Sequence, residues 1–183
     1  MSATLSLLER NGPIPGKLTD NVNNTNWKSV DDTTTPYTSY LSLINLGTNS
    51  YTKYHCIRFS GQFTTLGNVT MTHLSGVLPN GIKLMSSPSI TLDSQKLPYN
   101  QPTRTINTGI TPTNITAVSS SVNLLIGPAN SADPATSTNK LNIADNTGTP
   151  LYTNYFVTQL QVAKNAETGS IGSIVIQISY DEV

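Results

Sequence analysis

The last thirty residues, Asn154–Val183, constrain the fold most strongly. They read NYFVTQLQVA, KNAETGS and IGSIVIQISYDEV, two runs rich in β-formers around a polar turn that carries Gly169. In the first run Phe156, Thr158, Leu160 and Val162 share one face, and Tyr155, Val157, Gln159 and Gln161 share the other. In the second, Ile174, Ile176, Ile178 and Tyr180 oppose Ile171, Ser173, Val175, Gln177 and Ser179. Period two with β-branched residues predicts an antiparallel hairpin. Its Ile174/Ile176/Ile178 face is expected in the core, and its Gln159/Gln161 face outside or against another subunit. A hairpin is marginal alone, so the rest of the chain is expected to supply the sheet it joins.

The preceding sequence offers such strands. Residues 3–8 are β-capable, and Tyr37–Leu46, Tyr51–Phe59, Gln62–Leu66, Asn68–Leu74, Gly81–Met85, Ser89–Leu92, Ile115–Ile126 (one long strand, or two broken at the serines) and Leu141–Ala144 read as strands between turn signals. Lys96–Pro112 and Gly127–Lys140 read as loops, and Asp145–Pro150 as a turn. The one helical candidate, Ser2–Arg10, is too short to stand alone. Thr, Ser and Asn make up roughly a third of the chain and charged residues 11%, where an ordinary globular domain carries about 25%. Apolar runs recur throughout and net charge is zero, which argues against disorder. The expectation is an all-β, two-sheet antiparallel sandwich, jelly-roll in preference to immunoglobulin-like, since the Cys…Trp…Cys spacing is absent.

Residues 11–35 differ from this pattern. They carry Pro13, Pro15, several Asn and no sustained period. Residues 1–35 are therefore expected to form an extended N-terminal arm, and residues 36–183 the β-sandwich body. Trp27, the only tryptophan, is a docking point on an irregular segment, on the chain's own body or on a neighbour. Leu18, Val22, Trp27 and Val30 are the expected partner-binding residues of the arm.

Chemistry is sparse. Ten basic residues are dispersed along a chain of zero net charge, so no nucleic acid is expected as partner. No apolar window is long enough to span a membrane, and MSATLSLLERNG does not read as a secretory leader. The single Cys56 excludes an intrachain disulfide. His55 and Cys56 are adjacent, so on a strand they point to opposite faces and cannot share a metal. A nucleophile pair would need His73 to serve Cys56. Asp145-Asn146-Thr147-Gly148 reads as a turn bonded to its own backbone. No phosphate loop, dinucleotide fingerprint or nucleophile elbow occurs. No catalytic residue, metal or cofactor is expected, the chain does not read as an enzyme, and a small-molecule ligand is not expected. Eight tyrosines favour protein interfaces over sugar binding because they are not gathered in one segment.

The segment NYFVTQLQVAKNAETGSIGSIVIQISYDEV resembles the close of small β-sandwich structural proteins of tailed bacteriophages. The overall make-up is similar to that of phage-head decoration (cement) proteins and minor capsid proteins: an N-terminal arm, a Ser/Thr/Asn-rich β body and little charge. The resemblance implies a jelly-roll body, homo-trimers on the capsid surface, and the major capsid protein as partner. It places the protein in the virion after synthesis in the host cytoplasm. It carries over no catalytic residue. The alternative expectation is a binding module, either a phage fibre or baseplate domain or a carbohydrate-binding sandwich.

Overall fold

Strand β3 (Lys53–Ser60) is buried on both faces along most of its length, and the rest of the molecule is arranged to cover it. A computed structural model of the chain describes residues 3–32, 34–87, 99–106, 111–117, 120–124, 126–128, 142–147 and 150–183. These are all-β, with a single 3-10 turn at Tyr40–Ser42. Besides β3 the strands are β1 (Thr4–Asn11), β2 (Lys17–Thr19), β4 (Gln62–Ser75), β5 (Ile82–Ser87), β6 (Thr113–Asn114), β7 (Ser121–Asn123), β8 (Ile126–Pro128), β9 (Asn142–Thr147), β10 (Leu151–Thr153), β11 (Phe156–Val162) and β12 (Val175–Glu182).

They form two antiparallel sheets. The first runs β2-β1-β3-β11-β5-β6, with β10 joined to β3 and β8. The second runs β12-β4-β7, with β9 also on β4. Between the sheets lies the main core. The first sheet contributes Ile57, Phe59, Leu84, Phe156, Leu160 and Val162, and the second contributes Phe63, Leu66, Val69, Met71 and Val122. A second apolar cluster covers the other face of the first sheet: Leu8, Tyr54, Cys56, Tyr152, Tyr155 and Val157, with Leu18, Tyr99 and Ile106 packed over them. The two-sheet antiparallel sandwich is thus the observed architecture.

The C-terminal hairpin is corrected. β11 pairs with β3 and β5 in the first sheet, whereas β12 pairs with β4 in the second. Residues 163–174 cross from one sheet to the other. Gly76, at φ +96, sits where the end of β4 meets this crossing, and a Cβ there would run into the Ser173 carbonyl and lie 3.0 Å from Ile174 Cα. Period two reports which face a side chain takes, and a strand with one buried face has the same pattern whether its neighbour precedes it or sits across the core. The face assignment of β12 holds, since Ile174, Ile176, Ile178 and Tyr180 pack on the core. That of β11 is corrected at Gln159. This residue is fully buried and donates from Nε2 to the Ser50 carbonyl at 2.9 Å.

Residues 1–35, expected as an arm, do not stand apart from the body where they are described. β1 pairs with β3 from Thr4↔Ser60 to Arg10↔Tyr54. Leu5 and Leu7 pack on the main core while Leu8 enters the second cluster, so the short TLSLLERN run has apolar demands on both faces. Beyond β2, the Val22 N–H donates to the Leu7 carbonyl at 2.9 Å, and the Tyr51 N–H to the Lys28 carbonyl at 2.9 Å.

Three further expectations change. Tyr37–Leu46 is not a strand. The Ser39 side chain accepts from the Leu41 N–H and caps the 3-10 turn, and such local bonds compete with a sheet ladder. Ile115–Ile126 is broken: the Asn114 side chain accepts from the Thr116 N–H at 3.2 Å, turning the chain between β6 and β7. Asp145 and Asn146, expected in a turn, lie within β9, where Asn146 pairs with Phe63 and Ala144 with Thr65. The Ser89–Leu92 strand, residues 129–140 of the expected loop and Gly148 lie outside the described residues.

The second cluster closes the outer face of the first sheet, so emptying its centre is costly. Leu8→Ala, at a side chain 1% exposed, is expected to lower unfolding free energy by about 2–5 kcal/mol. Urea titration followed by circular dichroism measures this.

Candidate interaction surface

The expected partner-binding residues are spread over the chain's own body. Leu18 packs into the second cluster. Trp27 is half-buried against the main core, and its Nε1 donates to Thr158 Oγ1 at 3.1 Å. Val22 and Val30 are half-buried. Of the two docking alternatives for Trp27, the structure shows the chain's own body. Lys28, 5% exposed, is pinned by Asp32 Oδ1 at 3.1 Å and by the carbonyls of Asp32 and Thr35 at 2.6 and 2.9 Å. Hydrogen bonds from the Thr35 hydroxyl and backbone N–H, joined by Lys28, hold the Asp32 carboxyl far below the usual carboxylate range.

Where β1 and β3 face the core at one end, the side chains are ionic. Glu9 lies directly opposite His55 in the ladder. Lys53 Nζ meets Glu9 Oε1 at 3.0 Å and Asn11 Oδ1 at 3.3 Å, and Asn11 Nδ2 donates to Glu9 Oε1 at 2.6 Å. All four side chains are at least nine-tenths buried as residues. Burial works to raise the Glu9 carboxyl, but the neighbouring His55 and Lys53 and the hydrogen bonds from Asn11 and Lys53 outweigh it and leave it lowered. Trp27 Nε1 can only donate, so Thr158 Oγ1 accepts from it, and His55 Nε2 lies 3.2 Å from the same hydroxyl oxygen. The other ring nitrogen, Nδ1, faces Glu9 Oε2 at 3.9 Å. Burial, against the pull of Glu9 and with the help of Lys53, depresses His55 to about 4.

Beside this cluster is an open cleft of about 400 Å³ lined by Asn11, Gly12, Pro15, Lys17, Asp31 and Thr34, among others. Burial pushes the Asp31 carboxyl up against a backbone hydrogen bond from Gly12. Among the described residues no three His, Cys, Asp or Glu side chains gather to hold a metal ion. His73 is on β4, in the second sheet, with Nε2 2.9 Å from the Ser75 carbonyl. Cys56 points into the second cluster on the outer face of the first sheet. The structure therefore does not bring these two together. His55 and Cys56 do take opposite faces of β3, as expected.

A run of exposed apolar side chains lies elsewhere, in residues 36–47. Tyr37 is 68% exposed, Tyr40 78% and Leu43 63%, and Leu41 and Leu46 are also exposed. No Asp, Glu, Lys or Arg occurs from Thr33 to Thr52. The segment is held from beneath. Ser29 N–H donates to the Ser42 carbonyl at 3.2 Å, Ser42 Oγ donates to the Pro36 carbonyl at 2.7 Å, and Ile44 packs on the core. A fixed backbone thus presents large apolar side chains to solvent. Sequence reading placed these residues in a strand and missed them as a surface. The available signal was the run of Tyr and Leu without charge, which a buried strand also shows.

No family model, curated protein or solved structure matches the chain.

The ionic cluster sets the acid response. His55 titrates at about 4 in the folded chain against 6.5 when unperturbed, so folded protein holds fewer protons between these values. Its contribution is complete above pH 6.5 and is lost as pH falls to about 4, a change of about 3 kcal/mol. Glu9, also lowered, loses its contribution as pH falls from its ordinary carboxylate range through its folded value. Urea midpoints measured across this range should fall steeply for the native chain and stay flatter between pH 6.5 and 4 for His55→Gln. Glu9→Gln, which strands the buried Lys53, is expected to cost about 3–5 kcal/mol at neutral pH.

Proposed function

We propose that this protein is a structural component of a virus particle: a decoration (cement) protein that binds the major capsid protein lattice of a bacteriophage head and stabilises it. The observation that carries the reading is the apolar, charge-free segment 36–47, displayed on a braced backbone. Exposed apolar surface of this kind marks protein contact sites, and interface cores are depleted in charge and enriched in Tyr. The contact surface is therefore assigned to Tyr37–Leu46 rather than to Leu18, Val22, Trp27 and Val30. The resemblance of the C-terminal segment to phage structural proteins supplies the class of partner. The jelly-roll path belongs to the same reading, and it is supported by the chain changing sheets from β3 to β4, from β4 to β5, and from β11 to β12.

One observation favours the second reading, a carbohydrate-binding module. Tyr37 and Tyr40 present open aromatic faces three residues apart, and such rings can stack on sugars.

The test uses heads stripped of this protein and reloaded in vitro. Tyr40→Ser combined with Leu43→Ser should leave the melting curve unchanged, because both side chains are exposed, and should weaken loading by about tenfold or more. Undiminished loading of the double variant removes Tyr37–Leu46 as the contact surface. Failure of the native protein to load, together with glycan-array binding that Tyr40→Ser abolishes, selects the carbohydrate reading.

A further inference from the structure

Among the described residues the second sheet ends in an open edge, where β12 pairs with β4 and with no other strand. An edge strand leaves a row of backbone N–H and C=O groups without ladder partners, and soluble proteins blunt such edges with lysine, proline or bulges. β12 has none of these. Its sequence, VIQISYDE, contains no basic residue and no proline. The ladder has two register shifts, but both place the extra residue on β4. From Val175 to Ile176 the partner steps from Ser75 to His73, and from Ser179 to Asp181 it steps from Thr70 to Gly67. The second shift includes Asn68, whose φ of 49° lies in the left-handed region. β12 itself keeps an uninterrupted period of two.

The core is also incomplete along this edge. On β4, Leu66, Val69 and Met71 are at most 2% exposed. On β12 the inward-facing Ile176, Ile178 and Tyr180 remain half-buried, and so do Leu5 and Leu7 on β1. Tyr180 stands edge-on to Phe59, with ring centroids 5.1 Å apart, and its hydroxyl reaches the Ala3 carbonyl at 3.4 Å. β12 and the first half of β1 therefore flank one apolar seam, bridged at one end by the Ala3 N–H on the Glu182 carboxylate at 2.8 and 3.0 Å.

We propose that β12 pairs antiparallel with β12 of a second copy of this chain, making the two second sheets continuous across a two-fold axis. The choice of occupant follows from the strand's own pattern. Directly opposed residues in an antiparallel ladder share a face. Centring the axis on Ile178 sets Ile176 against Tyr180 on the core side, and Gln177 against Ser179 on the solvent side. Asp181 then faces Val175, so the acidic ends never oppose each other. A parallel pairing in register would stack Asp181 on Asp181 and Glu182 on Glu182. From Ile176 to Tyr180, antiparallel self-pairing thus matches apolar with apolar and polar with polar, and it keeps like charges apart. It extends the core over Ile176, Ile178 and Tyr180 while supplying hydrogen-bond partners to the open backbone edge. The two-fold pairing is independent of the capsid reading, and it differs from the three-fold assembly that the resemblance implies.

Sedimentation equilibrium of the full-length protein tests it, with variants at the exposed Gln177 and Ser179, which leave the core untouched. The native protein should be a dimer that dissociates on dilution. Gln177→Lys with Ser179→Lys opposes lysines across the axis and should raise the dissociation constant at least about tenfold, with an unchanged melting curve for the monomer. Gln177→Glu with Ser179→Glu should behave alike, and an equimolar mixture of the two variants should restore a dimer. A native protein that is monomeric or trimeric overturns the proposal. So does a dimer whose dissociation constant the lysine variant leaves unchanged.

Discussion

A strand buried on both faces dictates the layout of this molecule. β3 has the core on one side and the Leu8–Tyr54–Tyr155 cluster on the other. Sandwich sheets are usually wet on their outer face, and this one is not. Something must cover the outer face of β3. The cover comes from β2 and from residues around Tyr99 and Ile106. Tyr99 sits edge-on to Tyr54, with centroids 5.2 Å apart, while the Arg10 guanidinium lies 5.1 Å from its ring centroid. The Pro-rich and Asn-rich stretch that looks like an arm is therefore largely structural, because β3 and β1 have apolar residues that need it.

The same double burial explains the ionic cluster. A lysine and a histidine at Lys53 and His55 cannot face an apolar core unpaired. Glu9 and Asn11, delivered by the neighbouring strand at matching register, satisfy Lys53. Thr158, from the other neighbouring strand, bonds His55, and Trp27, from the segment that follows β2, donates to Thr158. Four separate stretches of chain thus meet at one end of β3, and acidification acts on all of them at once through His55 and Glu9.

Legibility of the sequence followed the kind of information each residue carries. Faces were readable: Ile174, Ile176 and Ile178 point to the core, and His55 and Cys56 diverge, because period two is a local property. Neighbours were not readable. The pattern of Tyr155–Val162 and Val175–Tyr180 is equally that of a hairpin and of two strands from opposing sheets. Gln159 looked solvent-facing because the cover over its face, Ser50, comes from over a hundred residues away. Glu9, Lys53 and His55 carried no joint signal, since their meeting depends on β1 pairing with β3. Tyr37–Leu46 was misread for a different reason: exposed apolar surface and a buried strand are spelled with the same residues, and only the Ser39 cap and the lack of a pairing partner separate them.

The two outward apolar features differ in a way that bears on assembly. Tyr37–Leu46 is an irregular segment, so it offers side chains, and its specificity must come from shape. β12 offers backbone, so its specificity comes from register. The segment's C-terminal end lies where Gly47 contacts Lys164, the end of the sandwich at which β4 finishes and β12 begins. A two-fold pairing through β12 reverses one sandwich relative to the other, so the two copies of that end point in opposite directions. A dimer so built joins two separate contacts instead of doubling one. Linked contacts raise avidity without any new interaction at either site, provided the geometry lets both engage. The charge-free Tyr37–Leu46 segment suits that arrangement, because it asks no partner to desolvate an ion.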